Sequence, residues 1–353
     1  MLPSPAPFLI SIVIPNYNYD AFVGSAIESA LALDWPQVEV IVVDDGSTDN
    51  SRAVIARYAE RIVTIHQENA GQAAACAAGF ARARGEVVVF LDSDDLLHPS
   101  FARETAEVWR PGVSKVQFQM KTIDKFGGDI GTIFPQFSGC PKPEEIRRWM
   151  LTTGAYPTPP GSGNAYSREL LELVFPLDGL SRIADSYFLA AAPFFGDVIT
   201  VPRPLVSYRI HGRNDGAFSS LVVDRFAREV SRGMQRFAYA QRMAAQAGLH
   251  LPDAARDQSL ATLTYRLASF RLAPQQHPMP GDSKGAILRD AMRAAQTPQG
   301  IPWQARLTLL AWSLIVMFSP ARVSRSVILW RFAPTSRPRV VQRLLSTFKV
   351  VHD

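Results

Sequence analysis

The chain opens on short apolar runs separated by stretches of helical periodicity. Ser11-Ile-Val-Ile-Pro15 predicts a strand, residues 38–43 a second, 62–65 a weaker third and 87–91 a fourth. Each is rich in Val and Ile and little broken by polar residues, the pattern of strands covered on both faces of a parallel sheet. Residues 21–33, 50–59 and 71–84 between them carry helical patterns. Thr48 or Asp49 is placed to cap the second, and the third is nearly all alanine on one side. Strand–helix–strand repetition at this spacing predicts βαβ units in an α/β, Rossmann-like, mostly parallel sheet with flanking helices. Residues 197–207 read as a further strand. After about Ala217 the texture turns helical and amphipathic, over 222–247 and 254–272. A polar, Pro-containing linker follows at 275–283, and then more helices. The pattern predicts an α/β domain over 1–217 and a mainly helical C-terminal region over 218–353.

Composition adds three constraints. The 353 residues suffice for two domains, and 47% hydrophobic residues allow a large core. Two cysteines, Cys76 and Cys140, fit no metal-ligand spacing and make a disulfide scaffold improbable, so a reducing compartment is expected. Residues 1–10 lack a basic n-region and contain Pro3, Pro5 and Pro7, which does not read as a signal peptide. Both features point to a cytoplasmic location. The net charge of +5 is unevenly placed. From Gly300 onward Arg306, Arg322, Arg325, Arg331, Arg337, Arg339, Arg343 and Lys349 face Asp353 alone, so the rest of the chain is slightly acidic. Such a tail seeks an anionic surface. No aromatic-interleaved or recognisable nucleic-acid motif accompanies it, which argues against nucleic acid as the partner.

Ligands of α/β sheets bind at the carboxyl ends of the strands, and three predicted strands end in polar clusters. The first ends in Pro15-Asn16-Tyr17-Asn18, the second in Asp44-Asp45-Gly46-Ser47-Thr48-Asp49, the fourth in Asp92-Ser93-Asp94-Asp95. Three carboxylates in four positions repel one another and lose hydration unless neutralised. A divalent cation with a taste for oxygen, Mn²⁺ or Mg²⁺, would relieve that cost. The same run also fits a plain acidic loop in which Asp95 caps a helix starting near Pro99. Asp44-Asp45-Gly46-Ser47 fits either a nucleobase acceptor or a turn with helix caps. Glu68-Asn69-Ala70-Gly71 precedes the Ala-rich helix, where Gly71 would permit close approach of a ligand. Asp185 opens a helix-like stretch and fits either a cap or a catalytic carboxylate. Tyr208-Arg209-Ile210-His211-Gly212 ends a strand in a polar loop.

Taken in order, these clusters resemble the inverting family 2 glycosyltransferases of the GT-A fold, over about residues 8–214. Ser11-Ile-Val-Ile-Pro15-Asn16-Tyr17-Asn18 looks like the family's first strand, and Val42-Val43-Asp44-Asp45-Gly46-Ser47-Thr48-Asp49 like its second. Glu68-Asn69-Ala70-Gly71-Gln72-Ala73-Ala74 resembles its third motif and Phe90-Leu91-Asp92-Ser93-Asp94-Asp95 its metal motif. Tyr208-Arg209-Ile210-His211-Gly212 resembles a late signature. The resemblance implies a metal-dependent enzyme, Mn²⁺ or Mg²⁺ being the cofactor. It would transfer a sugar from a nucleoside-diphosphate donor, of UDP or dTDP type, to an acceptor hydroxyl. It places Pro15, Tyr17, Asn18, Asp45, Asn69, Gly71, Asp92 and Ser93 at the nucleotide-sugar, with Asp45 facing a uracil-type imide. Asp94 would ligate the metal with Asp92 and His211, and Asp185 would be the catalytic base. A glycan or lipid-linked acceptor is implied, as in polysaccharide or glycoconjugate synthesis. Two departures stand out. The family's Arg-Asn pair on the third helix is replaced by Cys76-Ala77, and its Glu-Asp base motif by Ala184-Asp185, which leaves Asp178 and Asp197 as competing carboxylates. The alternatives are a non-catalytic nucleotide-sugar or membrane-binding scaffold on this fold, and a sugar-1-phosphate nucleotidyltransferase. The latter would need a Gly-rich signature with Arg near the first strand, which the chain lacks.

No family motif covers 218–353. Residues 307–318 are nearly all apolar, but twelve residues reach only ~18 Å of a ~30 Å bilayer core. They fit either a core helix or an interfacial helix with Trp303, Trp312 and Trp330 near lipid headgroups. The second possibility would place the protein peripherally on the inner face of the cell membrane, against anionic lipid.

Overall fold

The computed structural model describes residues 8–137, 139–175, 185–212 and 223–332. The chain divides into two compact units. One comprises Met1–Pro135, Lys142–Glu144 and Thr158–Ile210, the other Gln136–Pro141, Glu145–Pro157 and His211–Asp353. A boundary at 217 falls outside the described residues.

The first unit is built on one nine-stranded sheet. All four expected N-terminal strands form: β1 (Ile10–Asn16), β2 (Val38–Asp45), β3 (Val63–Gln67) and β4 (Val87–Phe90). They lie in the order β3-β2-β1-β4, all parallel, with every residue of β1 and β4 buried. The crossovers carry α1 (Val23–Leu31), α2 (Ser51–Ala56) and α3 (Gln72–Arg82). Asp49 helps start α2 by accepting the Ser51 N–H at 2.9 Å. Beyond β4 come β5 (Leu96–Leu97), α4 (Phe101–Val108), β6 (Val113–Asp124), β7 (Asp129–Phe134), α5 (Pro143–Thr153), β8 (Asn164–Ser167), α6 (Arg168–Val174), α7 (Asp185–Phe195) and β9 (Asp197–Ile210). From Glu145 on, α5 groups with the second unit.

This half of the sheet departs from the mostly parallel expectation. β8 runs antiparallel to both β4 and β6, β5 is antiparallel to β9 and β7 to β6, while β6 and β9 are parallel. The reversal has a consequence for position. Because β8 runs against β4, the short 3₁₀ segment Gly161–Gly163 that leads into β8 arrives at the carboxyl end of β4. Because β9 pairs with β5, its carboxyl end arrives beside Asp95.

The core between sheet and helices is apolar and mostly aliphatic, with Ile12, Ile14, Val40, Val42, Val87 and Val89 buried beside Phe101. α3 presses directly on this sheet through Gly79, where an added Cβ would stand 2.3 Å from Val13 Cγ1 and 3.2 Å from Val43 Cγ2.

The described part of the second unit is helical: α8 (Val223–Gln246), α9 (Leu260–Leu272), α10 (Lys284–Gln296), α11 (Trp303–Phe318) and α12 (Ala321–Phe332). Phe226, Leu263, Leu267, Ile287, Leu309, Val316 and Ile328 form its core. Arg266 is buried among carboxylates, 3.0 Å from Asp257 and 3.1 Å from Asp290, with Asp282 held between it and His277. No helix among the described residues is long and apolar enough to cross a membrane.

The two kinds of glycine predict opposite effects of one substitution. Gly79→Ala gains up to ~1 kcal/mol of helix propensity but overpacks a tight contact at ~1–3 kcal/mol, so the first unit loses stability. Gly285 in the first turn of α10 has open space around it. Gly285→Ala is expected to stabilise the second unit by ~0.4–1 kcal/mol. Denaturant midpoints of the two variants check both signs.

Candidate functional site

The carboxyl ends of β1, β2, β3 and β4 form one edge, and the polar clusters are laced together along it. Ser47 Oγ accepts from the Asn18 N–H at 3.0 Å and from Asn16 Nδ2 at 3.1 Å, while Asn18 Oδ1 accepts from the Thr48 N–H at 2.7 Å. Asn18 takes the left-handed conformation at φ 57°, which a short polar side chain bonded to nearby backbone tolerates. Pro15 enters through its carbonyl, which accepts from Ser93 Oγ at 2.6 Å and so ties the end of β1 to the turn after β4. Tyr17 projects from this edge with 44% of its surface exposed.

Asp44 and Asp45 are both buried at the end of β2. Arg52 and Asn16 donate to the Asp44 carboxylate, at 2.8 and 3.3 Å; against desolvation by burial, a hydrogen bond from Ser47 and then these two keep its pKa below the usual carboxylate range. Asp45 shapes the loop after β3: Oδ1 accepts from Gln67 Nε2 at 2.7 Å and the Ala70 N–H at 2.9 Å, and Oδ2 from the Gly71 N–H at 2.8 Å. Asn69 Nδ2 donates to the Asp45 carbonyl at 3.1 Å. The approach is close enough that a Cβ on Gly46, which sits at φ 76°, would come within 2.7 Å of the Asn69 nitrogen. An open groove of about 460 Å³ runs past Gly46, Arg52, His66, Gln67, Glu68 and Asn69.

The acidic cluster lies at the end of β4. Asp92 Oδ1 accepts from Gln72 Nε2 on α3 at 2.8 Å, and its backbone N–H donates to Ser162 Oγ at 3.1 Å. Asp92 is half-buried by surface area, yet protein atoms surround its carboxylate. That enclosure, with the charges of Asp94 and Asp185, pushes its pKa up to about 8, against the lowering effect of Gln72 and Ser162. Asp95 is more deeply buried, and desolvation with the charges of Asp94 and Asp92 raises it well above the ordinary carboxylate value. It does not cap the next helix. α4 begins at Phe101, and Asp95 Oδ1 instead accepts the Arg209 N–H at 3.0 Å, while Arg209 Nε reaches the Asp94 carbonyl at 2.8 Å. Asp95 Oδ2 is buried with no hydrogen-bond partner.

Asp185 is the first residue of α7 and meets this cluster. Its Oδ2 accepts the Gly161 N–H at 3.2 Å and its Oδ1 the Ser186 N–H at 2.6 Å. Gly161 faces both carboxylates: a Cβ there would lie 3.6 Å from Asp92 Oδ2 and 3.8 Å from Asp185 Oδ2. Asp197, a competing carboxylate, sits at the opposite end of β9 on Arg110 at 2.8 Å. Asp178 and Ala184 lie outside the described residues. His211 directly follows β9 and belongs to the second unit. Among the described residues no group of three or more His, Cys, Asp and Glu side chains closes around a cation position. The donor set nevertheless suits a cation: Asp92 and Asp94 offer oxygen to a hard divalent ion, and repulsion within the cluster is what such an ion would relieve.

Gln72, Gly161, Ser162 and Arg209 contribute to the site without having been singled out in the sequence. Gln72 and Arg209 stand inside motifs quoted from the sequence but carry no assigned role there, and for Gly161 and Ser162 the local signal is the turn-rich run Pro159-Pro160-Gly161-Ser162-Gly163. Cys76, which replaces the Arg expected on α3, is buried in the core, its thiol pKa raised by burial and by the charges of Asp92 and Asp185.

The chain is 43% identical over 214 residues to an uncharacterized glycosyltransferase of Nostoc sp., covering 58% of this chain and 66% of the relative. EpsH of Bacillus subtilis is 31% identical over 218 residues, covering 57% of this chain and 61% of the relative. The chain thus spans just under two thirds of the length of these curated relatives. Its structure is similar to that of Staphylococcus aureus TarS residues 1–349 in complex with UDP-GlcNAc, with a TM-score of 0.53, 18% identity and 91% of each chain covered. The fold is of the GT-A kind. Residues 11–175, which carry every cluster described above except Asp185, Arg209 and His211, match the family described as glycosyl transferase family 2. Over these residues the chain is similar to glycosyl transferase family 2.

Proposed function

We propose that the first unit transfers a sugar from a nucleoside-diphosphate donor to an acceptor hydroxyl, with inversion at the anomeric carbon. The observation that supports this most is the convergence of Asp92 and Asp185 on the Cβ side of Gly161, at the carboxyl edge of the sheet. Inversion is one in-line displacement, so one carboxylate must take the acceptor proton while the opposite side carries the departing diphosphate. Asp185 suits the first task. The Gly161 and Ser186 N–H groups fix its orientation, and Gly161, without a side chain, leaves space beside it. A positioned general base contributes ~10²–10⁴-fold.

Asp94 and Asp92 would hold the metal, Mg²⁺ or Mn²⁺. Mg²⁺ is commonly held by one or two carboxylates plus substrate phosphates. When bound, the ion stabilises negative charge on the leaving diphosphate. The nucleoside would lie along Pro15, Tyr17, Asn18, Asn69 and Gly71. The accepting position left on Asp45 Oδ2 favours an imide N–H, hence a UDP or dTDP donor. Ser93 links the two halves of the site through Pro15. The acceptor is inferred to be a glycan or lipid-linked hydroxyl.

Four outcomes test this reading. Asp185→Asn should leave donor affinity unchanged and lower kcat by ~10²-fold or more, whereas Asp197→Asn at the far end of β9 should not. Normal transfer by Asp185→Asn in a kinetic assay would assign the base elsewhere. Excess chelator should abolish turnover and added Mn²⁺ or Mg²⁺ restore it; full activity in chelator removes the cation from the scheme. Asp45→Ala should weaken UDP binding by ~1.5–3 kcal/mol in calorimetry, and a clear preference for GDP would contradict the pocket.

The last outcome concerns pH. Asp92 is raised from the model-compound value of 3.8 to about 8, so between those limits the folded chain binds more protons than the unfolded chain. Stability must then fall as pH rises through that window. In chelator, the thermal midpoint of the wild type should drop between pH 5 and 8 relative to Asp92→Asn, which cannot ionise there. Parallel curves for the two proteins would show that Asp92 is not strained by its neighbours.

A further inference from the structure

α11 is mostly apolar, but only one side of it is covered. Ala305, Leu309, Ser313, Val316 and Met317 are buried in the helical core. On the other side Trp303, Leu307, Leu314, Ile315 and Phe318 are exposed, at 60, 51, 42, 50 and 69% of their surface. With Ala311 they occupy an arc of about 120° on a helix of 3.6 residues per turn, interrupted by one exposed polar residue, Gln304. Val323, 46% exposed, continues the patch at the start of α12. A water-facing side of a helix is ordinarily polar, and an apolar patch of this kind marks an interaction surface.

The surrounding charge identifies the partner. From Ser283 to Phe332 the chain carries Lys284, Arg289, Arg293, Arg306, Arg322, Arg325 and Arg331 against a single carboxylate, Asp290. Asp290 is turned inward onto Arg266 at 3.1 Å, so it offers no negative charge to the surface. Arg322 and Arg325, immediately beyond Phe318, are exposed. After Phe332 come Arg337, Arg339, Arg343 and Lys349, which lie outside the described residues. An apolar strip bordered by cations alone is complementary to a surface that is anionic outside and apolar just beneath. α11 has 16 residues, or ~24 Å, with one side committed to the core, a length and covering that suit lying along such a surface rather than crossing it. Trp312 does not share in this face, since its indole N–H donates inward to the Val327 carbonyl at 3.3 Å.

We propose that the exposed face of α11, with the start of α12, seats the protein on an anionic lipid surface. The apolar side chains enter the headgroup–acyl boundary, and Arg322 and Arg325 meet lipid phosphates. The inference rests on the second unit alone and is independent of the transfer chemistry proposed for the first.

Sedimentation of the full chain with vesicles decides it. The protein should partition onto vesicles of phosphatidylglycerol with phosphatidylcholine, and at least tenfold more weakly onto phosphatidylcholine alone. Raising salt from 0.1 to 0.5 M should weaken binding, since screening shortens the reach of surface charge. Leu314→Gln/Phe318→Gln alters only exposed positions, so the helical circular dichroism should persist while partitioning falls tenfold or more. Arg322→Gln/Arg325→Gln should lower it by about tenfold and flatten the salt dependence. Three results would overturn the proposal. One is absence of binding to anionic vesicles at low salt. Another is wild-type binding by the Leu314/Phe318 variant, which would assign attachment to the cations after Phe332. The third is a concentration-dependent dimer in analytical ultracentrifugation that the same variant dissociates, which would make a second copy of the chain the occupant.

Discussion

The crowding of carboxylates at the end of β4 is the constraint on which the rest of the first unit depends. Asp92, Asp94 and Asp95 follow a wholly buried strand, and Asp185 arrives from the start of α7, so like charges collect where little water can screen them. An arrangement of this kind costs stability unless donors face the oxygens. Each neighbouring element supplies one: α3 sends Gln72, the segment before β8 sends Ser162 and the Gly161 N–H, and the end of β9 sends the Arg209 N–H. The antiparallel entry of β8 thereby gains a reason. A parallel β8 would bring its other end to β4 and leave Asp185 without the Gly161 donor.

How much of this was legible in the sequence follows from the range over which each residue acts. The parallel strands were readable because burial on both faces demands an unbroken apolar run, and β1, β2 and β4 have one. The clusters at their carboxyl ends were readable because the topology sends every such loop to the same edge. β6 was not. Its sequence Val113-Ser-Lys-Val-Gln-Phe-Gln-Met alternates as a half-exposed strand would, yet Lys115 and Gln117 are buried. They are accommodated because Lys115 Nζ donates to Gln117 Oε1 at 2.9 Å and Thr158 Oγ1 at 2.7 Å, and Gln117 Nε2 to Thr200 Oγ1 at 2.9 Å. Those partners lie up to 83 residues away, so no window along the chain contains the explanation. Gly161 was missed for the same reason, and Arg209, quoted within the motif that ends β9, had no role assigned to it; they act on Asp185 and Asp95 across 24 and 114 residues.

The second unit inverts the usual placement of polar and apolar groups. It buries Arg266 with Asp257, Asp282, Asp290 and His277, while α11 leaves five large apolar side chains in water. The buried set is tolerable because its members satisfy one another. Removing one partner of such a set typically costs ~3–5 kcal/mol, since a charge is left without compensation. It also takes carboxylates off the surface, which leaves the outside of α10–α12 cationic. The inward turn of Asp290 and the outward face of α11 therefore act in the same direction, making this side of the unit attractive to anions and to apolar matter.

A protein shell of two carboxylates has a further consequence for the site. Three or four protein ligands would bind a divalent ion strongly whether or not donor was present, and the ion would become a fixed part of the fold. Were Asp92 and Asp94 to hold the ion as proposed, ion and proton would compete for the same oxygens near neutral pH, since desolvation and the charges of Asp94 and Asp185 push Asp92 up to about 8. Diphosphate oxygens, which complete the coordination of Mg²⁺ in sites of this composition, would tip that competition toward the ion, and ion affinity would then be coupled to the presence of the leaving group.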